Sequence, residues 1–222
     1  EYTFVSICPY PRKPRLIIAG VAEQGKLDDE WLKGLEMLKE LGVKEYILAG
    51  GSNSTISIDG MDIKTIPVFN AEDLNLENCK GVYARSLNKW ALEVLNESGV
   101  SYVLGKVVPP PFEYLYEEGY RLPRVLGFQG KNTGIVLLPI SAPALDERNK
   151  VVSRDSLYRV IDAALDYDEI LVFRWNANML NRSENYEVIK EAVSYARTKG
   201  FEFASPEGVA EYVKKLQNIA LD

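Results

Sequence analysis

Short apolar runs alternate with helix-length amphipathic stretches along most of the chain, and that alternation leaves few folds open. Arg15-Leu-Ile-Ile-Ala-Gly-Val21 reads as a buried strand, and Asp28 to Leu41 as a helix with Trp31, Leu35, Leu38 and Leu41 at helical spacing. Gly42 stops that helix. Glu45-Tyr-Ile-Leu-Ala-Gly50 is the next strand, ending in the turn Gly51-Ser-Asn-Ser54. The pattern then gives a strand at Gly81–Ala84, a helix at Leu87–Asn96 and a strand at Ser101–Gly105. Beyond an irregular insertion from Pro109 to about Lys131 come a strand at Gly134–Ile140, a helix at Ser153–Tyr167 with Ser153 as N-cap, and a strand at Glu169–Trp175. A helix capped by Ser183 and ended by Gly200, the short strand Phe201–Ala204, and a last helix with Ser205 as N-cap and Pro206 in its first turn complete the order.

Apolar strands alternating with helices call for a parallel sheet covered on both faces. An open doubly wound sheet and a closed barrel both satisfy that requirement. At 222 residues the chain suits one domain, 1–222, since α/β barrels commonly take about 200–250 residues. No G-x-x-x-x-G-K loop and no G-x-G-x-x-G after the first strand supports nucleotide binding. A net charge of -6 without a Lys/Arg run argues against nucleic acid as a partner. No stretch reaches the roughly 18 consecutive apolar residues of a membrane helix. The start, Glu1 to Cys8, has neither Met nor a charged-then-apolar pattern, and reads as a piece lying downstream of a removed leader or another domain. The acceptor triplets at Asn53, Asn96 and Asn181 tilt only slightly toward an extracellular or cell-surface location. Cys8 and Cys79 have no metal-ligand spacing; buried thiols are the plainer reading, and a disulfide stays open for an exported chain.

The sharpest chemical fact is that the chain contains no histidine. Any Ser-His-Asp triad, Cys-His pair or His-ligated metal is excluded. No cofactor is expected.

Several stretches carry a family likeness. Glu169-Ile-Leu-Val-Phe-Arg-Trp175 followed by Tyr186 to Ser205, with Ala196-Arg-Thr-Lys-Gly200 inside it, resembles the closing pattern of the polysaccharide deacetylases of the NodB-homology kind. Gly60 to Leu74 resembles their metal-motif segment, and Tyr83-Ala-Arg-Ser-Leu-Asn88 with Leu92 to Val103 their substrate-groove segment. The resemblance spans about Arg15 to Lys215 and implies a distorted (β/α) barrel with about seven parallel strands. It also implies zinc chemistry, and there the chain departs. The family's paired aspartates fall on Gly20 to Gly25, where Glu23 is the one carboxylate. Its zinc histidines fall near Ile66 and Asn70, and its catalytic histidine at Arg174. Zinc needs nitrogen, sulfur or carboxylate donors. The expectation is a domain without a metal and without that catalysis.

Barrel sites gather at the C-terminal ends of strands, which nominates Glu23, Ser52, Asn53, Arg85, Gln129, Arg174, Trp175 and Asn176. Asn70, Arg85, Arg174, Trp175 and Asn176 are the candidate ligand-binding residues; Glu23 and Arg174 are the weak catalytic candidates. One reading pairs Glu23 with Arg174 where the metal would sit, a planar guanidinium against a carboxylate; the other leaves both as solvated loop residues. Trp175 and Tyr83 offer flat faces to sugar rings, although aromatics at strand ends are more often core. The aromatic insertion, with Phe112, Tyr114, Tyr116, Tyr120 and Phe128, reads as a plug over the barrel or a partner surface. The expected role is binding of a glycan or protein partner, or a structural one. The rival is a carbohydrate hydrolase with a histidine-free carboxylate pair, Glu23 with Asp62 or Asp73.

Overall fold

Buried strand pairing organises the chain into two mostly parallel sheets with helices packed against them. The computed structural model describes residues 14–21, 29–51, 54–69, 76–84, 87, 89–105, 123–128, 131–140, 142–143, 153–166, 170–176 and 183–219. Within these the strands are β1 (Arg15–Val21), β2 (Glu45–Ala49), β3 (Ser54–Ile58), β4 (Met61–Ile66), β5 (Gly81–Ala84) and β6 (Tyr102–Gly105). They continue with β7 (Arg124–Phe128), β8 (Lys131–Pro139), β9 (Ala142–Pro143), β10 (Ile170–Asn176) and β11 (Glu202–Phe203). The helices are α1 (Asp29–Glu40), α2 (Lys89–Ser98), α3 (Arg154–Asp166), α4 (Ser183–Thr198) and α5 (Pro206–Ile219).

One sheet runs β3-β4-β2-β1-β10-β9, with β11 also on β1; the other runs β5-β6-β8-β7. The β3–β4 and β7–β8 pairs are antiparallel, and every other pairing is parallel. Among the described residues a parallel bridge, Val68 with Tyr83, joins the sheets, with Tyr83 N donating to Pro67 O at 2.9 Å and Phe69 N to Tyr83 O at 2.7 Å.

Period-2 alternation sorts the side chains into separate cores. Ile17, Ala19, Ile47, Ala49, Ile66, Tyr83, Tyr102, Leu104, Val136 and Val172 form an inner core shared by both sheets, into which α5 inserts Val209, Ala210 and Val213. Leu16, Ile18, Tyr46, Leu48, Leu171 and Phe173 face the other way, against α1, α3 and α4. Val82, Ala84, Val103 and Leu137 pack with Leu95 of α2 in a third cluster. Strands buried on both faces explain the continuous apolar runs.

Helix ends follow local chemistry. Gly42 at φ 85° lets Val43 N reach Leu38 O and Gly42 N reach Lys39 O, closing α1 in a Schellman motif. Gly200 at φ 93° does the same for α4, with Phe201 N on Ala196 O. Ser153 Oγ accepts from Ser156 N, and Ser205 Oγ from Gly208 N, as N-caps. Tyr195 Oη and Lys199 both bond Asp162 and so tie α4 to α3, while Tyr195 stacks on Tyr158 at 4.2 Å. Among the described residues no helix is long and apolar enough to cross a membrane.

The structure corrects the sequence reading in places. The stretch after Gly50 is a β3–β4 hairpin whose turn, Asp59 at φ 48° and Gly60 at φ 85°, has the left-handed pair of a type I′ turn. The span read as an irregular insertion contains β7, paired antiparallel with β8, so neither the insertion nor the sheet is uniform. The insertion's aromatic residues Phe112, Tyr114, Tyr116 and Tyr120 lie outside the described residues.

Two tyrosines cross glycines on adjoining strands, Tyr46 over Gly20 and Tyr102 over Gly81. A Cβ at Gly81 would overlap the Tyr102 ring. Gly81→Ala is therefore expected to cost about 1–3 kcal/mol, the usual range for overpacking. Urea unfolding measures this; a midpoint unchanged from wild type would contradict the packing.

Candidate functional site

The C-terminal end of β10 carries the most unusual side chain on the inner face. Ile170 and Val172 point into the inner core, whereas Leu171 and Phe173 point to the helices. By the same alternation Arg174 points inward. Its backbone lies in register with Ala19 of β1 and Pro143 of β9. Its guanidinium carbon sits 5.7 Å from the centroid of the Tyr83 ring, within cation–π range. Arg174 Nε is buried and donates to nothing among the described residues. No ion pair joins Arg174 to a described carboxylate. Tyr83 is itself 5% exposed, a core aromatic whose face carries the cation.

The other nominated residues divide. Trp175 and Asn176 continue β10, with backbones in register with Gly20 and Val21, so the strand end is where the sequence put it. Glu23, Ser52, Asn53, Asn70, Asp73, Arg85 and Gln129 lie outside the described residues, as does Cys8. Asp62, second in β4, lies beside Glu45 in the backbone register and accepts a hydrogen bond from Ser57 Oγ across the hairpin. Cys79 is a buried free thiol whose pKa burial pushes up. Trp31 is core.

A second polar group on the inner face escaped the sequence reading. Lys64 Nζ lies 2.9 Å from Glu45 Oε2 and 3.1 Å from Glu207 Oε2, which links β4, β2 and the first turn of α5. Glu45 Oε1 is buried and without a hydrogen-bond partner among the described residues. Burial holds the Glu45 carboxyl above the ordinary 4.5, against the hydrogen bond and charge of Lys64; Glu207 and Asp62 push it further up. Burial pulls Lys64 down, but Glu45 and Glu207 together leave it above 10.5. Tyr102, buried and near both glutamates, has its phenol pushed up as well. The signal in the sequence was a lysine at an inward position of an alternating strand, Met61-Asp-Ile-Lys-Thr-Ile66.

Chemically, these two groups differ. Two carboxylates compensate Lys64, and α5 caps the arrangement at the strand starts, so it works as a structural tie. Arg174 has an aromatic face beside it and a buried Nε that donates to nothing among the described residues. Among the described residues no three Cys, Asp or Glu side chains converge to hold a metal.

A carboxyl raised by burial contributes stability that is full below 4.5 and is lost as pH rises through its folded value. Glu45→Gln removes that contribution. The stability of Glu45→Gln relative to wild type is thus expected to rise as pH increases above 4.5. Urea unfolding at successive pH values gives the difference curve, and a flat or falling one would contradict the account. No family model matches this chain, and no curated protein matches it.

Proposed function

We propose that the chain is a non-catalytic domain of the polysaccharide-deacetylase (NodB-homology) kind that binds a glycan at its strand ends. The first support is topological. Parallel pairings run from β10 through β1, β2 and β4, pass by the Val68–Tyr83 bridge to β5, and continue through β6 to β8. Ile140 N extends the β8 pairing to Gly105 O, and β9, just beyond, pairs with β10. In the proposed reading this path closes a distorted barrel of seven parallel positions, with the inner core filling it and α5 covering the strand starts.

The observation that carries the functional reading is Arg174. A fixed cation stands at the end of a late inner strand, where the resemblance assigns the family's catalytic histidine. Ile66, assigned to a zinc ligand, is instead an apolar side chain 2% exposed in the inner core. A guanidinium repels a metal and the sec-butyl side chain of Ile66 donates nothing to one. These residues do not fit zinc, and no step through a metal follows.

The rival, a hydrolase with a rebuilt carboxylate pair, has less behind it. Asp62 sits at the start of β4, whereas barrel chemistry is run from strand C-terminal ends.

The purified chain, supplied with Zn²⁺ and acetylated oligosaccharides, is expected to release no acetate above the metal-free control, while a glycan thermal-shift screen yields ligands. Robust metal-dependent acetate release would overturn the reading.

A further inference from the structure

We propose that the outer edge of β3 is a self-association surface, where a second copy of this chain adds its own β3 in antiparallel pairing about a two-fold axis at Ile56. β3 ends the order β3-β4-β2-β1-β10-β9, and among the described residues nothing pairs with its outer side. Its residues from Ser54 to Ser57 are exposed on both faces of the sheet, Ile56 at 54%. Proteins blunt such edges with charge, proline or a bulge. Ser54-Thr-Ile-Ser-Ile58 has no charge and no proline, and it pairs with β4 without a register shift.

The hydrogen-bond phase decides which backbone groups face outward. Ser54 N donates to Thr65 Oγ1 at 3.0 Å, and Ser54 O accepts from it at 3.2 Å, so both groups turn toward β4. Backbone direction repeats at every second residue, which turns Ile56 and Ile58 the same way and points the N–H and C=O of Thr55 and Ser57 outward. Asp62, opposite Ser57, agrees: its N donates to Lys44 O, on the far side of β4. A two-fold axis at Ile56 then sets Thr55 of each copy against Ser57 of the other, and each such pair exchanges both backbone bonds. Their hydroxyl side chains match, and Ile56 meets its own copy at the closer, non-hydrogen-bonded spacing. No charge faces a like charge, although the chain carries -6 in all. This self-complementarity is the argument for a second copy over another protein.

α1 extends the surface. Ile56 lies on its side of the sheet, since its pair Ile63 packs with Trp31, Leu35 and Leu38. Lys39 Nζ, 3.9 Å from Asp59 Oδ2, brings one flank of α1 to the hairpin turn. Two turns back along that flank is Leu32, 41% exposed, and three residues back along β3 is Ile56, each about 10 Å from the ion pair. Leu32 and Ile56 of both copies thus line one apolar strip across the axis. So small a contact gives a weak dimer, with a dissociation constant on the order of 100 µM.

Sedimentation equilibrium of the full chain across that concentration range is expected to show monomer and dimer. Ile56→Lys and Ile56→Glu each set like charges face to face and should weaken the dimer at least about tenfold, with circular dichroism unchanged at so exposed a position. An equimolar mixture of the two variants should recover dimers, because the axis sets position 56 against itself. A wild-type chain that stays monomeric overturns the self-pairing and leaves the edge to a strand of another protein. A dimer that both variants keep, or variants that dissociate and do not recover on mixing, overturns the axis at Ile56.

Discussion

Seven consecutive register pairs between β1 and β10 set the direction of everything near the strand ends. Arg15 to Val21 lie against Ile170 to Asn176, each parallel and each flanked by a further strand on the other side. A slip of one residue would send Ile170 and Val172 to the helices and Leu171 and Phe173 inward. Both sets are buried, and each packs with different partners, so the register is held by two cores at once. Arg174 inherits its inward direction from that register.

Two cations on the inner face meet the cost of burial differently. Lys64 has two carboxylates within 3.1 Å, and the tie joins two strands to α5. Breaking such a pair leaves an uncompensated charge, which is why partly buried clusters of this kind resist single substitutions. Arg174 has the Tyr83 face, a contact worth about 0.5–2 kcal/mol depending on solvation. Among the described residues Arg174 lacks the carboxylate partners that compensate Lys64.

What was legible in the sequence was local. Gly42, Gly200, Ser153 and Ser205 act within one turn of chain, and each ends or begins a helix where expected. The apolar runs of β1, β2, β5, β6 and β10 declared themselves because both their faces are buried. The β3–β4 hairpin did not, although Asp59-Gly60 is its turn signal; β3 is exposed and carries Ser and Thr rather than an apolar run. The Lys64 tie was illegible because its partners are separated by 19 and 143 residues, and only the fold brings them together. Arg174 was nominated through a family likeness, yet its inward direction and its seat on Tyr83 follow from the strand pairing.

The account depends on an arginine held inside, against an aromatic ring, by the β1–β10 register. The Nε–H resonance of Arg174 in the free protein reports on that directly. A proton shielded by the Tyr83 ring and exchanging slowly with water, whose shift moves when Tyr83 is replaced by leucine, is the predicted result. A resonance at the shift of a solvated arginine, exchanging rapidly and indifferent to Tyr83, would contradict it.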